Sequence, residues 1–193
     1  MVAPSEVSIR TYKVGFGDCF LVTFFYPDKN RSVLIDFGST GLPKDAGAGR
    51  MMEIAKDIRS FVDANCGGEL LAVVATHRHK DHISGFAGDT GALIEDLKPE
   101  IVLQPWTEDP VALREAKSAT AGAGASLSAP KRVAGMQNHY LMALENMNEF
   151  SRAALAAAEA NDRMGAANSR KIKFLADDNL ANEAAVKRLA RAQ

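Results

Sequence analysis

The chain contains, at residues 70–82, the sequence Leu-Leu-Ala-Val-Val-Ala-Thr-His-Arg-His-Lys-Asp-His. The continuous apolar run Leu70–Ala75 is typical of a strand that is buried on both faces of a sheet. His77 and His79 lie two residues apart, so on extended backbone their side chains point the same way. Asp81 and His82 follow where we expect the chain to turn into a helix. The pattern therefore predicts a cluster of polar side chains at the C-terminal edge of the sheet.

This cluster predicts a metal site. Three of the four histidines in the chain lie within residues 77–82, together with an aspartate. A single histidine in a polar loop is usually a solvated side chain, but this grouping directly after a buried strand favours metal ligands. Imidazole and carboxylate suit zinc, iron or manganese. A catalytic metal would also keep one position open for water, whose pKa it lowers toward neutral.

The rest of the chain predicts an α/β fold, in which an antiparallel meander is followed by helices and strands that alternate. The predicted strands are Val7–Val14, Cys19–Tyr26, Ser32–Phe37, Leu70–Ala75, Ile101–Leu103 and a brief one over Lys171–Leu175. The predicted helices are Met51–Ala64, one that begins near Ile83, Ala92–Leu97, Val111–Lys117, Met136–Asn161 and Asn182–Ala192. Ser118–Pro130 has few bulky side chains and is typical of a linker.

Composition excludes several classes of function. The net charge of −1 gives no general attraction for nucleic acid. Cys19 and Cys66 are too few for a disulfide framework and fit a reducing compartment. No apolar run approaches the roughly 20 residues that a bilayer span needs, and the N-terminal residues do not resemble a signal peptide. We therefore expect a cytoplasmic protein with no membrane contact.

The histidine cluster resembles the His-x-His-x-Asp-His signature of the metallo-β-lactamase fold superfamily. Asp36, near the end of the run Val33–Gly38, stands where that family keeps an aspartate at the close of an early strand. Gly15–Cys19 is similar to a Gly-Gln-Gly-Asp-Ser turn in the branch that includes the metallohydrolase domain of the DNA-uptake competence protein, with departures at Phe16 and Cys19. The resemblance spans residues 7–106 and implies an αβ/βα sandwich.

The resemblance also implies a ligand set and a reaction. His77 and His79 would bind a first divalent ion, and Asp81 and His82 a second, with zinc as the expected metal and manganese or iron as alternatives. Asp81 would orient the attacking water and take its proton, which makes it the candidate catalytic residue. Two such ions suit phosphodiester, ester or amide hydrolysis. A phosphodiester or nucleotide substrate, and hence a nuclease activity, is weakly preferred.

The family's later ligands have no clear counterpart in this chain. His139 is the single downstream histidine, and we favour an ordinary helix-surface or core position for it. Asp177 or Asp178 could serve as a bridging ligand, but we favour a role in starting or capping the last helix, with Asn179 as another cap. Trp106 either lines a pocket mouth or covers the core.

We therefore expect the N-terminal half of the fold, with a helical insertion and a truncation of the rest. The expected organisation is a metal-binding half over residues 1–106, the insertion over 107–170 and a strand-helix continuation over 171–193. A partner chain or a C-terminal region would complete the site. The alternative function is a catalytically incomplete binding or scaffold subunit that keeps the fold.

Overall fold

The structure is a computed structural model that describes residues 2–105, 149–160, 169–173, 176 and 182–191. It divides into two compact units, one formed by Met1–Gln104 with Asn182–Gln193 and the other by Pro105–Ala181. The first unit contains a five-stranded sheet. In the second unit, residues 149–160 and 169–173 are helical.

The sheet is mixed, with its strands in sequence order from one edge to the other. The strands are β1 (Glu6–Thr11), β2 (Cys19–Phe25), β3 (Arg31–Phe37), β4 (Ala72–Val74) and β5 (Ile101–Leu103). The first three form an antiparallel meander, and β4 and β5 continue the sheet in parallel with β3. The predicted meander and the predicted α/β class are confirmed.

Helices cover the sheet and line its C-terminal edge. They are α1 (Arg50–Cys66), α2 (Lys80–Ile83), a 3-10 turn over Ser84–Phe86, α3 (Gly88–Glu95) and α4 (Glu183–Arg191). The buried residues of α1 include one at every fourth position, which gives the helix a single apolar stripe: Ile54, Ile58, Val62 and Cys66. Leu21 of β2 and Leu34 of β3 belong to the same core and are fully buried. No helix among the described residues is long and apolar enough to cross a membrane.

A buried polar contact joins the meander to the end of α1. Thr23 and Ser32 are cross-strand partners, and their hydroxyl oxygens lie 2.7 Å apart. The Ser32 hydroxyl is also 3.0 Å from Sγ of Cys66, at the end of α1. Both hydroxyl residues are fully buried, so each depends on this contact because water cannot reach it.

Several predicted bounds change in the structure. The predicted strand over Lys171–Leu175 is wrong where it is described, because residues 169–173 are helical. A run as short as this one fits both periods, so alternation alone does not separate strand from helix. α3 begins at Gly88 rather than Ala92, since the glycines in its first turn hide the start of the helix. α2 begins at Lys80, three residues before Ile83.

The helix predicted at Asn182–Ala192 is confirmed as α4, and residues 149–160 are helical within the predicted Met136–Asn161. The remaining predictions lie outside the described residues: Val111–Lys117, the linker Ser118–Pro130, residues 136–148, His139, Trp106, Asp177, Asp178 and Asn179.

Candidate metal centre

Asp36, at the end of β3, is the buried anchor of the cluster. Parallel β3 and β4 end at the same edge of the sheet, which brings Asp36 beside Thr76. The Asp36 carboxylate accepts hydrogen bonds from the Thr76 amide at 2.8 Å and from the Thr76 hydroxyl at 2.7 Å. Asp36 is 3% exposed and has a φ of 53°, a left-handed conformation that non-glycine residues rarely adopt outside special sites. The carboxylate is therefore fixed at both of its oxygens.

His82 is oriented by this carboxylate. Its Nδ1 lies 2.8 Å from Oδ2 of Asp36, and its Nε2 lies 3.3 Å from Oδ2 of Asp81. A carboxylate only accepts hydrogen bonds, so the contact with Asp36 favours a proton on Nδ1, and in a neutral ring this leaves Nε2 as the nitrogen that can bind a ligand. A histidine whose other ring nitrogen donates to a carboxylate is the usual arrangement around a protein-bound metal.

His77, Asp81 and His82 bring one potential ligand atom each within 4.8 Å of the other two. The rings of His77 and His82 are 3.7 Å apart between centroids and are tilted by 48°. Burial lowers the pKa of His77, and the neighbouring His82 and His79 lower it further. The neutral ring, which is the form that binds metals, is therefore favoured at His77.

Asp18 contributes a third carboxylate to the cluster, beside those of Asp36 and Asp81. Asp18, Asp36 and His82 also offer ligand atoms within 4.8 Å of one another. The Asp18 amide donates to the Asp81 carbonyl at 3.0 Å, and the Gly38 amide donates to the Asp18 carbonyl at 3.1 Å. The Asp18 side chain is 44% exposed, so it faces solvent from the rim of the cluster whereas Asp36 lies at its base.

His79 stands beside the cluster. Its ring meets that of His77 edge-on, with 4.8 Å between centroids. Its backbone is extended, and its carbonyl oxygen accepts hydrogen bonds from the amides of His82 and Ile83, so His79 is the N-cap residue of α2. Among the described residues, the groups whose potential ligand atoms lie within 4.8 Å of one another contain the other three predicted ligands but not His79.

Two glycines let the chain come close to the turn that carries Asp81 and His82. A Cβ at Gly38 would lie 2.6 Å from the backbone nitrogen of His82, and one at Gly17 would lie 2.6 Å from the Asp81 carbonyl oxygen. Real Cβ atoms essentially never come this close, so any other residue would push the turn away. The turn Gly15–Asp18, which joins two antiparallel strands as predicted, thus also supports the cluster.

The structure adds four residues to the predicted site. Asp18 and Asp36 entered the sequence analysis through the resemblance only, and Thr76 and Asn182 had no role there. Nδ2 of Asn182 donates to the carbonyl of Arg78 at 2.9 Å, across 104 residues of chain. No local pattern in the sequence signals such a contact. Cys19 is a buried core thiol, and burial raises its pKa, with smaller contributions from Asp36 and Asp18.

Comparison of this chain with protein-family models, with curated proteins and with solved structures finds no match. Its function must therefore be inferred from the chemistry of its own residues.

Proposed function

We propose that this protein is a metal-dependent hydrolase with a metallo-β-lactamase-like fold, in which His77, Asp81 and His82 hold a divalent ion. The observation that carries the proposal is the chain of contacts from the buried Asp36 carboxylate through the His82 ring to the Asp81 carboxylate. His79, beside His77, is proposed as a further ligand. Zinc is the preferred ion, and manganese or iron is the alternative.

The donor set fits such an ion. Two imidazoles and a carboxylate within one small volume suit zinc and other borderline divalent metals better than calcium or magnesium, which prefer all-oxygen sites. The contact of His82 Nδ1 with Asp36 meets a second requirement, because a ligating nitrogen must be unprotonated and a proton on Nδ1 of the neutral ring leaves Nε2 without one. A bound ion would act as a Lewis acid and lower the pKa of water at the site.

Four residues of the chain would orient the His82 ring, orient a water molecule and attract the cation. Asp36 and Thr76 hold the His82 ring in one orientation, so its metal-binding nitrogen needs no reorganisation before binding. Asp81 is partly exposed, and its carboxylate can orient a water molecule and accept its proton. Asp18, at the rim, adds negative charge that helps to attract a cation.

A phosphodiester or nucleotide is the preferred substrate class, and this preference rests on the resemblance. The competing function is a binding or scaffold subunit that holds metal without turnover and needs a partner chain to complete its site. One observation favours this alternative: among the described residues, the close ligand groups come from positions 18–82 only. A partner could then supply the further ligands that a two-metal centre needs.

The test is metal content and turnover measured on the same preparation. We expect the wild-type protein to retain one or two zinc ions per chain by elemental analysis after reconstitution and desalting, and to hydrolyse bis(p-nitrophenyl) phosphate. Asp81→Ala should abolish turnover. Asp96→Ala is the matched control, since Asp96 lies at the end of α3 and pairs with Arg59 on the surface.

The outcomes separate the two functions. Absence of bound zinc, manganese and iron from the wild-type protein after reconstitution with each ion would refute both the hydrolase and the metal-holding subunit. Bound zinc without hydrolysis of phosphodiester, ester or lactam substrates would favour the subunit. Unchanged turnover in Asp81→Ala would remove Asp81 from the proposed reaction.

A further inference from the structure

α4 packs against the part of the chain that directly follows the candidate ligands Asp81 and His82. We refer to residues 78–88 as the ligand segment. Ala185 and Leu189 of this helix are buried in the main core, and Val186 packs against that core. The helix packs on the 3-10 turn Ser84–Phe86 and on α3, the elements that directly follow Asp81 and His82. α4 thus belongs to the same unit as the sheet, although Arg188 of α4 and Glu95 of α3 lie 93 residues apart in sequence.

Two polar side chains at opposite ends of α4 hold the two ends of that segment. Asn182 donates to the carbonyl of Arg78, which lies between His77 and His79 in sequence. Arg188 donates from one nitrogen to the carbonyls of Phe86 and Gly88, at 2.7 and 2.8 Å. Its Nε also donates to Glu95 of α3, at 2.9 Å. The ligands Asp81 and His82 therefore lie between two fixed points.

The contact made by Asn182 is specific to the ligand segment. An asparagine at a helix N-terminus stabilises that helix with its side-chain oxygen, because the free groups there are N–H donors. The contact to Arg78 uses the amide nitrogen instead, so it does nothing to cap α4. Asn182 is 7% exposed. If its hydrogen bond to Arg78 were broken, water could not easily replace the lost partner.

We propose that Asn182 is a positioning residue of the metal centre, and that α4 holds residues 78–88 in the conformation that brings His77, Asp81 and His82 together. Asn182 acts through its hydrogen bond to the backbone of Arg78 and is not itself one of the candidate ligands. The part of this inference that concerns metal affinity rests on the proposed function. The part that concerns the conformation of the segment does not.

The experiment compares two variants with a matched control. Asn182→Ala removes the donor, and Asn182→Asp removes the donor but keeps an oxygen that can cap α4. The control is Asn30→Ala, because Nδ2 of Asn30 also donates to a backbone carbonyl at 2.9 Å, that of Asn65 at the far end of α1. Amide hydrogen exchange of the metal-free proteins, zinc affinity by chelator competition and unfolding by urea are measured for each.

We expect faster exchange at residues 77–83 in both Asn182 variants, with little change in the strands and α1. Zinc affinity should fall by about 10- to 100-fold, as is usual when a group that supports a metal ligand is lost. Asn30→Ala should unfold more easily but keep the wild-type exchange at residues 77–83 and the wild-type zinc affinity.

Wild-type exchange at residues 77–83 in Asn182→Asp would overturn the inference. A rise of equal size throughout the sheet would do the same, because it would mean general destabilisation. If the segment loosens as expected but the wild-type protein binds no zinc, the positioning role stands and the proposed function fails.

Discussion

Replacement of Asp36 by asparagine tests the centre of the proposal with almost no change in shape. Oδ1 of Asp36 accepts from the Thr76 amide, and an asparagine oxygen can keep that bond. Nδ2 of the asparagine then replaces Oδ2 and presents N–H groups to Nδ1 of His82, which is itself a donor in the wild-type protein. The conflict is relieved if the His82 proton moves from Nδ1 to Nε2. That tautomer has no free electron pair on the nitrogen that faces Asp81.

The size of the effect follows from the bond that is lost. A hydrogen bond to a charged group contributes about 1.5–3 kcal/mol. In Asp36→Asn, His82 can bind metal in its wild-type tautomer only without this bond. Because about 1.4 kcal/mol corresponds to a factor of ten, zinc affinity should fall by roughly 10- to 100-fold. The free energy of unfolding should also fall in the variant. Two N–H donors, Nδ2 of the asparagine and Nδ1 of His82, would then face each other at a position where Asp36 is 3% exposed.

The assay is zinc competition against a chromophoric chelator, with the tautomer of His82 read from its ring ¹⁵N shifts in the metal-free protein. The control is Asp57→Asn, because Asp57 accepts a hydrogen bond from the Tyr12 hydroxyl at 2.9 Å and is remote from the cluster in sequence and on α1. A folded Asp36→Asn protein that binds zinc as tightly as the wild type would refute the reasoning about His82. Unaltered ring shifts would refute it as well.

Three further predictions concern the contacts around the cluster and the core. Ser32→Ala leaves the buried Thr23 hydroxyl without its partner, so the free energy of unfolding in urea should fall by about 1–3 kcal/mol with zinc affinity unchanged; loss of zinc affinity would contradict this separation. Gly38→Ala should weaken zinc binding, because the added Cβ would meet the His82 backbone. Gly47→Ala is the control, because a Cβ there would have open space around it and should leave zinc affinity unchanged. Equal zinc affinities in the two variants would argue against the close approach. Removal of zinc with a chelator should lower the melting temperature, since free zinc at about 100 times its Kd stabilises the fold by about 2.7 kcal/mol. An identical melting temperature with and without zinc would mean that the folded state holds no ion.

The sequence predicted those elements whose contacts are local or periodic. The stripe of Ile54, Ile58 and Val62 follows directly from helical spacing, and β2 and β3 follow from alternation between turns. Predicted bounds were wrong where residues adopt a secondary structure that differs from the one their type usually favours. The glycines in the first turn of α3 look like helix breakers, and the short run at residues 171–173 fits a strand as well as the helix that forms there.

The closeness of the candidate ligands in sequence was also predictable, because His77, Asp81 and His82 all stand within residues 77–82. What the sequence could not decide is which atoms meet and what holds them. Asp36 reaches His82 across 46 residues only because β3 pairs in parallel with β4, and the left-handed backbone of Asp36 is visible only in three dimensions. Asn182 reaches Arg78 across 104 residues only because α4 packs on the core.

The physical reason for this division is the range of the forces involved. The sequence by itself determined the identity of the candidate donor atoms and the strand that precedes them, since side-chain chemistry and backbone period act over a few residues. The tertiary structure alone decided which carboxylates the His82 ring faces, the close approach at Gly38 and the support from α4. Each of these depends on burial of apolar surface that brings distant segments together, and this burial leaves no local pattern in the chain.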